Sequence, residues 1–221
     1  MVAKIFKIAA AVCLIILMTA CATHPITPFD YSAYKQSRPR SVVILPPLNE
    51  SPDVNATYSM LSQMTQPLAE AGYYVFPVAL VDETFRQNGL SVANDIHAVA
   101  PGKLREIFGA DAALYVTVTQ YGATYTVLNS VAVVTAKAKL VDLKTGITLW
   151  QGTASANNNE GGNSGGGGLI GALVAAAVKQ VINSTTDASH PVAGLTSQRL
   201  LSAGHVNGVL YGPYSDKFGS D

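Results

Sequence analysis

Cysteine is nearly missing from this chain. Of its 221 residues two are cysteine, Cys13 and Cys21, and both lie at the amino-terminal end. The body beyond them holds no thiol and can form no disulfide. A surplus of one charge is missing too: 14 basic side chains stand against 14 acidic ones. Nothing in that balance suggests a nucleic-acid partner or a polybasic membrane patch. Histidine is sparse, and His24, His97, His190 and His205 include no pair at metal-ligand spacing, so neither a zinc site nor another cofactor is expected. A transmembrane helix needs about 18 or more apolar residues to cross a hydrocarbon core of roughly 30 Å. The apolar run Ile8 to Met18 stops well short of that.

What is there begins with that run. Met1 to Lys7 carries two lysines and no acid, and the order charged, apolar, small is that of a secretory signal. It closes in Met18-Thr19-Ala20-Cys21, which looks like a bacterial lipobox, in which Cys21 becomes the first mature residue. A lipobox implies a thioether-linked diacylglycerol and an acylated amino group on Cys21. Burial is worth about 0.8 kcal/mol per CH₂ and stable anchoring takes about two chains, so such a cysteine is a permanent anchor. Removing Lys4 and Lys7 leaves 12 bases against 14 acids, a charge of −2. Ala22 in place of Asp after the cysteine implies delivery to the outer membrane, with the body facing the periplasm.

Residues 1–20 are thus read as signal peptide and 21–40 as a lipidated tether, because "ATHPITPFDYSAYKQSRPR" has three prolines and no apolar periodicity. Extended at about 3.3 Å per residue, that tether could reach roughly 60 Å. Residues 41–221 are read as a single α/β domain. Ser41 to Leu45 predicts a strand buried on both faces and halted by Pro46 and Pro47. A helix presenting Leu61, Met64, Leu68 and Ala71 follows, kinked at Pro67 and stopped at Gly72, and Tyr73 to Pro77 returns as a strand, making a βαβ unit. Val78 to Gln87 and Pro101 to Phe108 predict two more helices.

Beyond Gly109 the pattern turns strand-like. Asp111 to Thr119 is rich in β-branched residues. From Val131 the chain alternates, with Ala132, Val134, Ala136, Ala138 and Leu140 on one face and Lys137 and Lys139 on the other. "VDLKTGITLW" predicts a turn through Asp142 to Gly146 and a third strand carrying Trp150, completing an antiparallel meander. The fold class expected is α/β: a mixed sheet from a βαβ unit plus a three-strand meander, with helices packed against it. A Gly-rich loop, 156–168, precedes the apolar helix predicted over Leu169 to Ile182, and a last helix includes Leu195 to Ala203 ahead of a tyrosine- and glycine-rich tail.

Few motifs carry chemistry. Ser164 stands in a G-x-S-x-G pattern and Gly166, Gly168 and Gly171 in G-x-G-x-x-G. Both matches are cheap among so many glycines, and neither follows a strand in the way a nucleophile elbow or a dinucleotide fingerprint requires. Glu50 and Asp53 follow the first strand, where open α/β sheets often bind ligands, although two acids in a polar turn also suit a solvated helix start. Asn49-Glu50-Ser51 and Asn55-Ala56-Thr57 are formal glycosylation sequons that a bacterial lipoprotein signal makes irrelevant.

The lipobox, "VVILPPLNES", "GADAALYVTVTQYG", "VDLKTGITLW" and the terminal "LLSAGHVNGVLYGPYSDKFG" together resemble a family of bacterial outer-membrane lipoproteins of unknown function, one of whose members is a meningococcal genome-derived vaccine antigen. The strand ending in an Asn-containing turn and the Asp-x-x-Thr-Gly-x-x-x-Trp hairpin are also similar to the curli secretion lipoprotein CsgG and the amino-terminal domain of TolB. The family offers no catalytic residues to carry over. The expected function is a non-enzymatic, outer-membrane-anchored component of an envelope or secretion assembly. It is expected to contact the membrane through Cys21 and an envelope protein, a CsgG-like lipoprotein or a second copy through Leu169, Ile170, Leu173, Val174 and Val178. An envelope hydrolase acting through Ser164 and a small-ligand binder near Glu50 and Asp53 are the alternatives.

Overall fold

The β-branched stretch after Arg40 forms β1 (Ser41–Ile44), and Val42, Val43, Ile44 and Leu45 are all fully buried. A strand buried on both faces needs pairing on both edges and cover above and below. The computed structural model, which describes residues 28–125, 130–160 and 188–221, supplies both. The proposed signal, Cys21, His24, Ser164 and the apolar segment Leu169 to Ile182 lie outside the described residues. β1 pairs in parallel with β3 (Tyr74–Val75) on one side and β4 (Ala112–Tyr125) on the other. Pro46 and Pro47 end the first pairing because they cannot donate to a ladder. The chain then rejoins β4 as β2 (Leu48–Asn49), opposite Thr117 and Val118.

Parallel neighbours need a crossover, and α2 (Ala56–Glu70) provides it, running on through Pro67. Its predicted inner face is the observed one, with Met60, Leu61, Met64 and Leu68 buried. Across β4 the sheet turns antiparallel through β5 (Ser130–Asp142) and β6 (Thr148–Asn157), giving the order β3-β1-β4-β5-β6 among the described residues. The alternation read from the sequence of β5 holds residue by residue: Ala132, Val134, Ala136, Ala138 and Leu140 are buried, and Lys137 and Lys139 are exposed. In β4 a bulge between Val118 and Gln120 shifts the parity. Val118 and Tyr121 therefore both face the core.

Two hydrophobic cores lie on opposite faces of the sheet. α2 and α6 (Ser189–Leu201) cover the larger one, with Trp150 among its side chains. α3 (Val78–Gln87), α4 (Ala93–His97) and α5 (Pro101–Phe108) cover the smaller one over β1 and the start of β4, around Phe85, Ile96 and Leu104. α4 has too short an apolar pattern to be predicted. The last helix runs from Ser189 to Leu201, so it includes the expected stretch from Leu195 but stops two residues short of Ala203. No helix among the described residues is long and apolar enough to cross a membrane.

The tether is the expectation that the structure overturns. Its second half folds: α1 (Ser32–Ser37) packs Tyr34 into the main core, with Phe29 and Tyr31 alongside. The Tyr34 hydroxyl donates to the Tyr73 hydroxyl at 2.7 Å, and Tyr73 donates to the Leu210 carbonyl at 2.6 Å. Aromatics at 29, 31 and 34 carry enough apolar area to leave water despite the polar residues between them. The tail is fastened to the same place. Gly212 N–H donates to the Ala71 carbonyl and Tyr214 N–H to the Gly72 carbonyl, at 2.8 and 3.0 Å. Gly72, at φ 95°, and Gly212 approach so closely that a Cβ on Gly212 would lie 2.2 Å from the Gly72 oxygen.

His97 is structural. Its Nε2 donates to the Pro46 carbonyl at 2.9 Å and its ring stands edge-on to Tyr115. Burial pushes its pKa below the ordinary value; the bond to Pro46 opposes that shift and nearby Lys139 adds to it.

Two outcomes are expected. Gly212→Ala should lose about 1–3 kcal/mol, since backbone stands where the methyl must go. Its Tm should fall by about 2–4 °C per kcal/mol. Gly102→Ala, with nothing within 4 Å of the new Cβ, should show no fall. Equal melting of the two variants would contradict the close approach. For His97, the unfolded chain takes up a proton near pH 6.5 whereas the folded chain resists it, so stability should decline as pH falls from about 7 to 5. His97→Gln should show a smaller Tm difference between those two pH values than the wild type, and an unchanged difference would contradict the assignment.

Candidate interaction surface

The helices over the smaller core stop at the first third of β4. Beyond it, no helix among the described residues covers that face of the meander. Alternation places on it Thr117 and Thr119 from β4, Thr135, Lys137 and Lys139 from β5, and Gln151, Thr153 and Ser155 from β6. Cross-strand contacts order the polar groups: Thr135 Oγ1 and Ser155 Oγ are 2.9 Å apart, and Thr119 Oγ1 donates to the Thr135 carbonyl. Lys139 Nζ sits over the Tyr115 ring, 5.0 Å from its centroid. Lys137 lies between Thr117 and Thr153. The three strands carry no carboxylate except Asp142 at the end of β5. That residue is buried, and while burial alone would raise its pKa, bonds from Ser37, Thr145 and Lys144 hold it below the usual carboxylate range. The face is therefore hydroxyl-rich and cationic, and β6 forms the sheet's edge. At the far end of that edge, Arg199 from α6 bonds the Ser155 carbonyl at 2.8 Å and pairs with Glu160.

The other sequence candidates take different places. Glu50 and Asp53 do not converge on a site. Asn49 Nδ2 donates to the Asp53 carbonyl, Asn49 Oδ1 accepts from Ser51, and Asp53 Oδ1 accepts from Asn55 N–H. These bonds build the turn that starts α2, and neither acid lines the two cavities described below. His190, in the first turn of α6, reaches across to α2, with Nδ1 2.8 Å from Ser59 Oγ and Nε2 2.8 Å from Gln63 Nε2. Tyr121 donates to the same Ser59 oxygen at 2.6 Å. Ser59 is 9% exposed, so this serine–histidine contact ties two helices to the sheet and leaves little room for a substrate to approach. His205 is exposed in the tail. Among the described residues no group of three or more His, Cys, Asp or Glu could hold a metal ion.

Sequence reasoning missed a third feature, two adjoining depressions at the amino ends of the parallel strands. One, of about 220 Å³, lies among Tyr34, Lys35, Arg38, Tyr73 and Phe218. Burial pushes the Tyr34 and Tyr73 phenols well above their ordinary range, so both are neutral. The second, of about 480 Å³, lies among Tyr31, Val206, Tyr211 and Lys217 and shares Leu210, Tyr211 and Asp221 with the first. The available signal was the aromatic spacing 29-31-34, which reads as core-seeking once the flanking prolines are set aside.

Comparison with known proteins agrees with this architecture. "Putative lipoprotein NMB1124/NMB1162" of Neisseria meningitidis serogroup B is 52% identical over 199 residues, spanning 90% of this chain and 92% of that protein. The crystal structure of lipoprotein GNA1162 from Neisseria meningitidis matches with a TM-score of 0.54 and 57% identity, covering 66% of this chain and all of that one. A PelC dodecamer from Paraburkholderia phytofirmans is more distant, with 15% identity and a TM-score of 0.42 over 79% of this chain and 91% of that one. Residues 29–214 match the family described as "Putative lipoprotein GNA1162-like", so the folded body from Phe29 into the tail belongs to the GNA1162-like lipoprotein family.

Proposed function

We propose that the protein is an outer-membrane lipoprotein, held by acyl chains on Cys21, whose periplasm-facing body captures another envelope protein and performs no catalysis. Membership of a lipoprotein family supports the anchor. One observation carries the binding role: the face of β4, β5 and β6 that no helix among the described residues covers presents Lys137 and Lys139, and the three strands set no carboxylate on it. A β surface of threonine, serine and glutamine hydroxyls and amides offers many hydrogen bonds at little conformational cost, while the two lysines select an acidic partner. The apolar segment containing Leu169, Ile170, Leu173, Val174 and Val178 is proposed as a second contact, because burying each such side chain is worth about 1.5–3 kcal/mol.

Two experiments test this reading. Cys21→Ala should abolish incorporation of labelled acyl chains, since the body has no other thiol; label remaining on the variant would refute the anchor. Lys137→Glu combined with Lys139→Glu should leave circular dichroism unchanged, because both side chains already lie in water. The same double variant should lower the yield of partner crosslinked in intact envelopes by on the order of tenfold. A folded double variant with the wild-type crosslinking pattern would remove the face from consideration.

A further inference from the structure

We propose that the end of the domain built by α1 and the tail rests on the bilayer, with Val206 and Phe218 set among phospholipid headgroups. The inference rests on the anchoring of Cys21 and follows from how little chain is left for a tether. Since residues 28–40 are folded, six residues separate Cys21 from Pro28. At 3.3–3.6 Å per residue that span reaches at most about 25 Å. A body of this size is about 40 Å across. The leash is shorter than the domain it holds, so the side where the chain enters cannot turn away from the membrane.

The entry side is well defined. Phe29 N–H donates to Asn207 Oδ1 at 2.9 Å, and the Tyr31 hydroxyl donates to the Gly208 carbonyl at 2.6 Å. These bonds fix the point of entry against the 204–209 loop, where Val206 is 72% exposed. Phe218, 45% exposed, stands on the adjoining depression. Aromatic and aliphatic side chains beside Lys and Arg stems are what a membrane interface accepts, because rings enter the headgroup layer and long cations snorkel. Lys35, Arg38 and Lys217 are balanced here by Asp30, Asp216 and Asp221. The contact therefore depends on apolar insertion and little on anionic lipid. At the opposite end, beside the carboxyl ends of the parallel strands, Val54 is 84% exposed and faces away from the bilayer.

Once Cys21 is acylated, an introduced cysteine is the protein's single free thiol. Val206→Cys, Phe218→Cys and Val54→Cys are made in the full-length lipidated protein and labelled with a polarity-sensitive fluorophore. Each is reconstituted into vesicles of phosphatidylethanolamine and phosphatidylglycerol and floated on a density gradient. The labels at 206 and 218 should shift to the blue and be quenched at least threefold more than the label at 54 by lipid carrying a headgroup nitroxide. Raising salt to 0.5 M should change this little. Equal quenching at all three positions in floated protein would overturn the orientation while leaving the anchor intact. A blue shift at 206 or 218 without lipid quenching would also overturn it, by showing that a second copy or another protein covers this end. Protein that fails to float would remove the anchor, and this inference with it.

Discussion

A buried pair of phenols decides the shape of this molecule. Tyr34 donates to Tyr73 and Tyr73 to the Leu210 carbonyl, which joins segments 39 and 137 residues apart in sequence. Because burial holds both phenols neutral, each keeps a proton to donate, and a buried hydroxyl without a partner would cost about 1–3 kcal/mol. The bond chain does more than stabilise. It draws the segment after Pro28 and the tail onto the same end of the sheet, and the glycine-on-glycine approach at 72 and 212 holds the tail against the α2–β3 turn. What would be a long leash becomes part of the domain.

The sheet divides the remaining work. Its parallel part, β3, β1 and the start of β4, is covered on both sides, as strands read as continuous apolar runs must be. Its antiparallel part is covered on one side by α2 and α6, and among the described residues no helix covers the other. Trp150 shows how tightly the covered side is built: Gly152 leaves room for the indole, whose nearest carbon lies 2.4 Å from where a Cβ at 152 would stand. Trp150 Nε1 donates to the Asn207 carbonyl in the tail. A rigid, packed inner face holds Lys137, Lys139 and the hydroxyls of the outer face in register, which is what a recognition surface on a sheet requires.

The two faces of β5 were legible in the sequence because a strand's side chains alternate with period two, so "VAVVTAKAKL" states its own inside and outside. The serine–histidine contact between Ser59 and His190 was not. The two residues are 131 positions apart, and no local period connects a helix in the first third of the chain with one near its end. Glu50 and Asp53 show the converse. Their position after a strand suggested a ligand, and the backbone took their turn for its own hydrogen bonds, since the orphan N–H groups at a helix start must be satisfied.

By itself the sequence determined the α/β class, the apolar and polar faces of the meander, the helices with a clear apolar stripe, and the family. All of these follow from spacing along the chain, where geometry repeats every two or every 3.6 residues. Only the tertiary structure decided that α1 belongs to the domain, that the tail closes over it, and that little chain remains between Cys21 and Pro28. Prolines and polar residues mark a segment as extended wherever it lies. Whether it then packs depends on an apolar partner surface, here Tyr73 and Leu210, which comes from distant parts of the chain and exists once the sheet has formed.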